Sequence, residues 1–158
     1  MTSQGSSIAA SSPATAEGDG LSVLVVDDDA INREITVALI TRQGHRASEA
    51  ASGIDALAQL ALRSFDLVLM DLQMPGMSGL EATAHIRGLF APASRPDFLP
   101  QGPAPIIIAL SADEDAADRA ACLEGGMDDH LAKPITRRNL SALFERWSPV
   151  VAAAKSSS

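Results

Sequence analysis

A short apolar run that ends in a single carboxylate constrains the fold of this chain more than any other feature. Leu67 to Met70 is continuously apolar, Asp71 follows it, and the turn-forming segment at 74–79 prevents its continuation. Such a run is typical of a strand buried on both faces of a parallel sheet. A second run, Leu21 to Val26, leads into three aspartates at 27–29. Because ligands of open α/β sheets sit beyond the carboxyl ends of strands, the two runs predict one shared acidic site.

Strands and helices alternate between residues 21 and 147. The predicted strands are Leu21–Val26, Arg46–Ala50, the run ending at Asp71, Ile106–Leu110 and His130–Ala132. The predicted helices are Ala30–Arg42, Ser52–Arg63, Gly79–Gly88, Asp113–Leu123 and Thr136–Trp147. Five βα repeats predict an α/β protein, a doubly wound five-stranded parallel sheet with helices on both faces. The flavodoxin-like strand order 2-1-3-4-5 is the expected arrangement.

Periodic apolar residues indicate which helix faces turn to the core. In the first helix the stripe is Ile31, Ile35, Leu39 and Ile40. In the last helix it is Leu140, Leu143, Phe144 and Trp147. Asp29 and Ser52 precede helices and are interpreted as N-caps.

Three segments depart from this alternation. Residues 1–20 and 148–158 are rich in Ser, Ala and Gly, which predicts disordered tails or linkers around a domain at 21–147. Leu89 to Pro105 contains five prolines, which excludes a regular helix and predicts an extended surface loop. We interpret this loop as a tolerated insertion in preference to a partner-specific one.

Composition excludes several classes of function. A net charge of −8 argues against a nucleic-acid-binding surface, which would be basic. The single Cys122 excludes an internal disulfide and is expected to be a buried thiol in a reducing compartment. No apolar stretch approaches the roughly 20 residues of a membrane helix, and no signal peptide is recognisable. We therefore expect a cytoplasmic protein without a membrane partner.

Five side chains at predicted strand ends carry the candidate chemistry: Asp27, Asp28, Asp71, Ser111 and Lys133. Three carboxylates at one edge repel one another, and a hard divalent cation, Mg²⁺ or Mn²⁺, would relieve this repulsion. Lys133 would neutralise a phosphoryl group, and the Ser111 hydroxyl would donate to one of its oxygens. Asp71 would be the nucleophile, since carboxylates can form aspartyl-phosphates.

These residues, in this order, resemble the response-regulator receiver domain of two-component signalling. The matching segments are Val25–Asp28, Met70-Asp71 with 74–79, Leu110–Ala112 and Gly126–Pro134, and the resemblance covers about residues 21–147. It implies a signalling domain rather than an enzyme, in which Asp71 accepts a phosphoryl group from a phosphohistidine. The partner would be a histidine kinase or a histidine phosphotransfer protein, and the chain would be a monomer or weak dimer.

The resemblance also implies the ligands of the metal ion. Asp28 and Asp71 would bind it directly, with the Gln73 backbone carbonyl as a third ligand and Asp27 acting through water.

A further implication concerns the phosphoryl group and the switch. Lys133 and Ser111 would contact the phosphoryl group, and the family couples this hydroxyl to an aromatic residue on the fifth strand. That position is His130 here. The departure leaves the acceptor chemistry intact, and Ser111 with His130 forms the expected switch pair.

Two other functions are compatible with parts of the pattern. Asp27-Asp28-Asp29 contains the Asp-x-Asp of haloacid-dehalogenase-like phosphatases, with Asp27 as nucleophile, but the lysine of that family precedes its acidic pair, whereas Lys133 follows Asp128-Asp129. A degenerate receiver used only for protein contacts would be expected to lack an acid or the lysine.

The biological setting stays open between two arrangements. The segments Leu72–Met77 and Met127–His130 look like those of hybrid-histidine-kinase receivers. This likeness favours a receiver from a hybrid kinase over a stand-alone regulator.

Overall fold

Strands and helices alternate along the part of the chain that a computed structural model describes, which is residues 20–91, 96–97, 99, 103–112, 120 and 122–157. The strands are β1 (Ser22–Val26), β2 (Arg46–Ala50), β3 (Leu67–Asp71), β4 (Ile106–Ser111) and β5 (Asp129–Ala132). The helices are α1 (Ala30–Arg42), α2 (Gly53–Leu62), α3 (Gly79–Phe90) and α4 (Arg137–Ser157).

The strands form one parallel sheet in the order β2-β1-β3-β4-β5, which confirms the predicted topology. β3 is buried along its whole length, because helices cover both faces of the central strands. Paired residues near the strand ends are Val26–Met70, Asp71–Leu110 and Ser111–Ala132. This register aligns the carboxyl ends of β1, β3, β4 and β5 along one edge.

Two apolar clusters, one on each face of the sheet, hold the helices in place. Alternate residues of a strand point to opposite faces, so β1, β3 and β4 contribute to both clusters. The helix residues of the first cluster are Ala56, Leu60, Ala82, Ile86 and the buried Cys122. Those of the second are Ile40 of α1 and Leu140, Leu143 and Phe144 of α4, with Trp147 packed against them. The predicted inward face of α4 and the buried thiol are therefore confirmed.

The predicted apolar stripe of α1 is wrong for two of its four residues. Ile31 and Ile35 are 68% and 51% exposed, whereas Ile40 is fully buried and Leu39 is partly buried. α1 begins beyond the carboxyl end of β1, and its first turns project past the part of the sheet that the helix covers. Periodicity identified the helix but not how far along its axis the core extends.

The predicted disordered tail at 148–158 is also wrong, because α4 continues to Ser157 with Pro149 inside it. Val151 is 6% exposed and belongs to the cluster on the α1 and α4 face. Pro149 removes one backbone N–H donor from the helix. Burial of Val151 and the high helix propensity of the alanines at 152–154 act against that loss.

About half of the proline-rich loop and most of the helix predicted after β4 lie outside the described residues. α3 extends two residues past its predicted end, to Phe90. Within the loop, Leu99 is 4% exposed, so the segment contacts the protein interior at this point. Of the helix predicted over Asp113–Leu123, residues 113–119 and 121 lie outside the described part, and Ala120 and 122–124 are helical. Residues 1–19 lie outside it too.

Candidate functional site

The carboxyl edge of the sheet brings the predicted site residues together. Asp27 and Asp28 directly follow β1, and Asp71 is the last residue of β3. Ser111 ends β4, and Lys133 directly follows β5. Because these four strands are parallel neighbours, their ends form one continuous edge.

Lys133 is the cation that faces the acids. Its Nζ lies 3.3 Å from Asp71 Oδ1 and 3.6 Å from Asp27 Oδ2, and its side chain is 25% exposed. Its backbone N–H donates to the Ser111 carbonyl at 2.8 Å, which fixes the end of β5 against the end of β4. The ammonium group therefore contacts two carboxylates and still reaches solvent.

Three carboxylates at this edge can face one small ion. Asp27, Asp28 and Asp71 each offer an oxygen, and these oxygens lie within 4.8 Å of one another. Asp27 and Asp71 are buried, whereas Asp28 is exposed, so part of the site opens to water. Hard oxygen donors with room for water suit Mg²⁺ or Mn²⁺. The donor set therefore fits the expected divalent cation.

Asp71 is held in an environment that disfavours its charge. Burial raises the pKa of its carboxyl, and the neighbouring Asp27 adds to this effect. The Gln73 backbone N–H, which donates to Asp71 Oδ1 at 3.2 Å, and Lys133 lower the pKa but do not cancel the rise. The backbone contact places Gln73 beside Asp71, and a ligand role for the Gln73 carbonyl stays a prediction.

Replacing Asp71 with asparagine should stabilise the metal-free fold near neutral pH by about 1 kcal/mol. Because its pKa is raised, the folded chain binds a proton on Asp71 more tightly than the unfolded chain does. Wild-type stability therefore falls as the pH rises from the unfolded pKa, about 4, through the folded pKa. We expect the advantage of the variant to appear over this interval in urea unfolding without divalent ions. A variant less stable than wild type at neutral pH would contradict the prediction.

Ser111 and His130 occupy adjacent strands next to the acids. Both are half-buried, Ser111 pairs with Ala132, and His130 pairs with Ala109. Nε2 of His130 is buried and has no hydrogen-bond partner among the residues that the structure describes. The half-buried packing position predicted for His130 is confirmed, and one ring nitrogen remains available for a new partner.

Asp129, for which the sequence predicted no structural contact, ties β5 to α4. Its Oδ2 accepts from Trp147 Nε1 at 2.8 Å and from Arg146, and its Oδ1 accepts from the His130 N–H at 2.8 Å. Burial opposes ionisation of this carboxyl, but the three hydrogen bonds outweigh it and hold the pKa of Asp129 below its usual value. The residue before His130 is thus anchored to the last helix.

An exposed apolar surface adjoins the acidic edge. Ile31 and Ile35 are exposed on the first turns of α1, and Ile35 lines a cleft of about 320 Å³. The cleft is lined by Asp27 and Lys133 and by Asn32, Ile35, Thr36, Pro134 and Ile135. The approach to the site is therefore apolar on the side of α1.

None of the helices in the described part of the chain has the length and apolar character that a membrane span requires.

Comparison with known proteins agrees with this geometry. The family model for the "Response regulator receiver domain" matches residues 23–145. The chain is 41% identical over 120 residues to the transcriptional regulatory protein AfsQ1 of Streptomyces coelicolor, a match that covers 76% of this chain and 47% of AfsQ1. It spans only 12 to 15% of the length of sensor histidine kinases that it also matches.

Two solved structures share the fold. The receiver domain of sensor histidine kinase PA1611 from Pseudomonas aeruginosa, with a magnesium ion in its active site cleft, is 33% identical with a TM-score of 0.67, covering 82% of this chain and 98% of that one. The receiver domain of Saccharomyces cerevisiae Ssk1, solved with the histidine phosphotransfer protein Ypd1, is 28% identical with a TM-score of 0.72, covering 82% and 90%. Because the family model spans most of the chain and these relatives carry receivers, we conclude that the chain belongs to the response regulator receiver domain family of two-component signalling.

Proposed function

We propose that Asp71 is the phosphoacceptor of this receiver and takes its phosphoryl group from a phosphohistidine. The supporting observation is the position of Lys133 Nζ, 3.3 Å from Asp71 Oδ1, within a group of three carboxylates that fits a divalent cation. In the transfer, an Asp71 carboxylate oxygen forms a bond to phosphorus while the bond from phosphorus to the imidazole nitrogen of the donor breaks. Lys133 is placed to neutralise the negative charge that accumulates on the phosphoryl oxygens.

The remaining site residues hold the ion and the phosphoryl group. Asp28 and Asp71 would hold Mg²⁺ or Mn²⁺ directly, together with the Gln73 carbonyl, and Asp27 would act through water. When bound, the ion supplies positive charge beside the phosphoryl oxygens. The Ser111 hydroxyl would donate to one of those oxygens.

A phosphatase with Asp27 as nucleophile fits the geometry less well. Asp27 is 2% exposed, its Oδ1 already accepts from the Asp29 N–H at 2.9 Å, and its Oδ2 faces Lys133. Both carboxylate oxygens of Asp27 are therefore engaged, whereas the contacts of Asp71 with Gln73 and Lys133 both fall on Oδ1. A degenerate receiver is disfavoured as well, because the acids and the lysine are all present and meet at one edge.

The partner we propose is a histidine phosphotransfer protein or a histidine kinase that docks on the first turns of α1. The Ssk1 receiver was solved with such a phosphotransfer protein. Here Ile31 and Ile35 are exposed, and Ile35 lines the cleft that leads to Lys133, so a protein donor would bury them while presenting its phosphohistidine. We further propose that this chain is the receiver of a hybrid kinase and acts in the cytoplasm as a monomer or weak dimer.

Replacing Ile35 with aspartate should slow phosphotransfer from a phosphorylated histidine protein about tenfold, the usual effect of removing an important interface residue. Labelling by the small donor acetyl phosphate should stay within about twofold of wild type, because the acceptor is unchanged. The matched control is Ile54→Asp, which alters an isoleucine on α2 that is also exposed, at 68% against 51% for Ile35. Equal rates for Ile35→Asp and wild type with the protein donor would argue against docking on α1.

Ser111 and His130 form the switch that we propose for signalling. A phosphoryl group on Asp71 adds charge and acceptor oxygens, which would draw the Ser111 hydroxyl inward. The unpartnered Nε2 of His130 can then form a new hydrogen bond, so the face around β5 changes by population shift. With beryllofluoride as phosphate mimic, amide shifts should reach Ser111 and His130. Shifts confined to residues adjoining Asp71 would indicate a relay without this switch.

A further inference from the structure

We infer that Arg33 is a positioning residue of the acidic site, which sets its affinity for a divalent cation by fixing the peptide between Asp27 and Asp28. The inference rests on the proposed function, since it concerns the same cation. Arg33 lies on the first turn of α1 and belongs to no motif of the sequence. Its guanidinium reaches back to the strand end that carries the acids.

The guanidinium makes two directed contacts. Its Nη1 donates to the backbone carbonyl of Asp27 at 2.8 Å, and its Nε donates to Glu49 Oε1 on β2 at 2.9 Å. The Arg33 side chain is 17% exposed and that of Glu49 is 44% exposed. A planar guanidinium bonded through two of its nitrogens has little freedom to move, so it holds the Asp27 carbonyl in one orientation.

The contact matters because it completes the anchoring of Asp27. The backbone N–H of Asp27 donates to the Ala50 carbonyl at 3.1 Å. Its Oδ1 accepts from the Asp29 N–H at 2.9 Å, and its Oδ2 lies 3.6 Å from Lys133 Nζ. The carbonyl is the remaining polar atom of the residue, and Arg33 binds it.

Asp28 depends on this anchoring, because its own side chain has no other support. Asp28 is exposed, and its carboxylate accepts no hydrogen bond from the residues that the structure describes. The carbonyl that Arg33 holds belongs to the same peptide plane as the backbone nitrogen of Asp28. Arg33 therefore fixes the backbone position from which the Asp28 side chain extends. Groups that hold a metal ligand in place commonly govern metal affinity.

The two possible roles of Arg33, as a charge and as a positioning group, predict opposite changes in cation affinity when Arg33 is removed. If the guanidinium acts as a charge near three carboxylates, its removal should strengthen cation binding. If it acts by fixing the peptide, its removal should weaken cation binding. We expect position to dominate, because Glu49 pairs with the guanidinium and offsets its charge.

The test is a Mg²⁺ titration of the metal-free full chain, followed by calorimetry and by amide chemical shifts. Arg33→Ala should bind Mg²⁺ about tenfold more weakly than wild type. Arg33→Lys keeps the charge but cannot span both acceptors, so its affinity should fall between the two. The matched control Arg42→Ala removes the same charge from an exposed position on the same helix and should stay within about twofold of wild type.

Two further readouts separate positioning from a general loss of structure. Urea unfolding of the metal-free variants measures stability, and Arg33→Lys serves as the deciding variant if Arg33→Ala does not fold. At saturating Mg²⁺, Arg33→Ala should regain most of its acetyl phosphate labelling, because the defect lies in affinity. Unchanged or tighter Mg²⁺ binding by folded Arg33 variants would overturn the inference. A wild-type chain that neither binds Mg²⁺ nor takes up phosphate would instead overturn the proposed function.

Discussion

Lys133→Ala should lower the rate of Asp71 phosphorylation at least about 100-fold, as removal of a group that stabilises charge in a transition state does. The ammonium lies 3.3 Å from the acceptor carboxylate, closer than any other cation in the described part of the chain. Without it, no side-chain cation at the site would oppose the charge on the transferring phosphoryl group, which would rely on the bound divalent ion and the Ser111 hydroxyl. The rate is measured with acetyl phosphate and saturating Mg²⁺, which keeps donor docking out of the result.

The loss of Lys133 should also change Asp71 before any phosphate arrives. Lys133 lowers the pKa of Asp71 in the wild type, so the pKa should rise further in the variant. A control variant, Arg138→Ala, removes an exposed positive charge from the first turn of α4 and should phosphorylate like wild type. A Lys133→Ala rate within a few-fold of the control would contradict the role given to this side chain.

Gly79→Ala should lower the free energy of unfolding by about 3 kcal/mol, at the upper end for overpacking a rigid site. A Cβ at Gly79 would lie 2.3 Å from the Asp71 carbonyl oxygen and 2.9 Å from Leu72 Cα. Both atoms belong to the backbone, so no side chain can move aside. Either α3 or the end of β3 must shift, and urea unfolding of the metal-free protein measures the cost.

Gly88→Ala is the matched control for this substitution. Gly88 lies on the same helix, and a Cβ there would meet no atom of the described residues within 4 Å. Alanine is favoured over glycine inside a helix, so this variant should gain about 0.5 kcal/mol or stay neutral. A Gly79→Ala variant as stable as Gly88→Ala would contradict the close contact between α3 and the Asp71 peptide.

The sheet and the acidic edge could be predicted because their signals are local. Each central strand is a continuous apolar run, and the side chain that follows it is placed by the strand itself. The strand order alone therefore predicts that Asp27, Asp71 and Lys133 lie close together. The cap at Asp29 was predictable for the same reason, since it bonds residues two and three positions ahead.

Contacts between distant elements could not be predicted from the sequence. Arg33 bonds Glu49 sixteen residues away, and Asp129 bonds Trp147 eighteen residues away, and neither spacing has a periodic signature. The predictions for Ile31 and Val151 were wrong for a related reason, because the exposure of each residue depends on where a helix ends relative to the sheet. Residue type alone does not carry that information.

The most direct test of the central claim is the site of phosphorylation. The full chain is incubated with acetyl phosphate and Mg²⁺, its mass is measured, and the same is done for Asp71→Asn. We expect wild type to gain one phosphoryl group that is labile in base, and Asp71→Asn to gain none. Undiminished labelling of Asp71→Asn would place the acceptor on another residue and contradict the function proposed for this edge of the sheet.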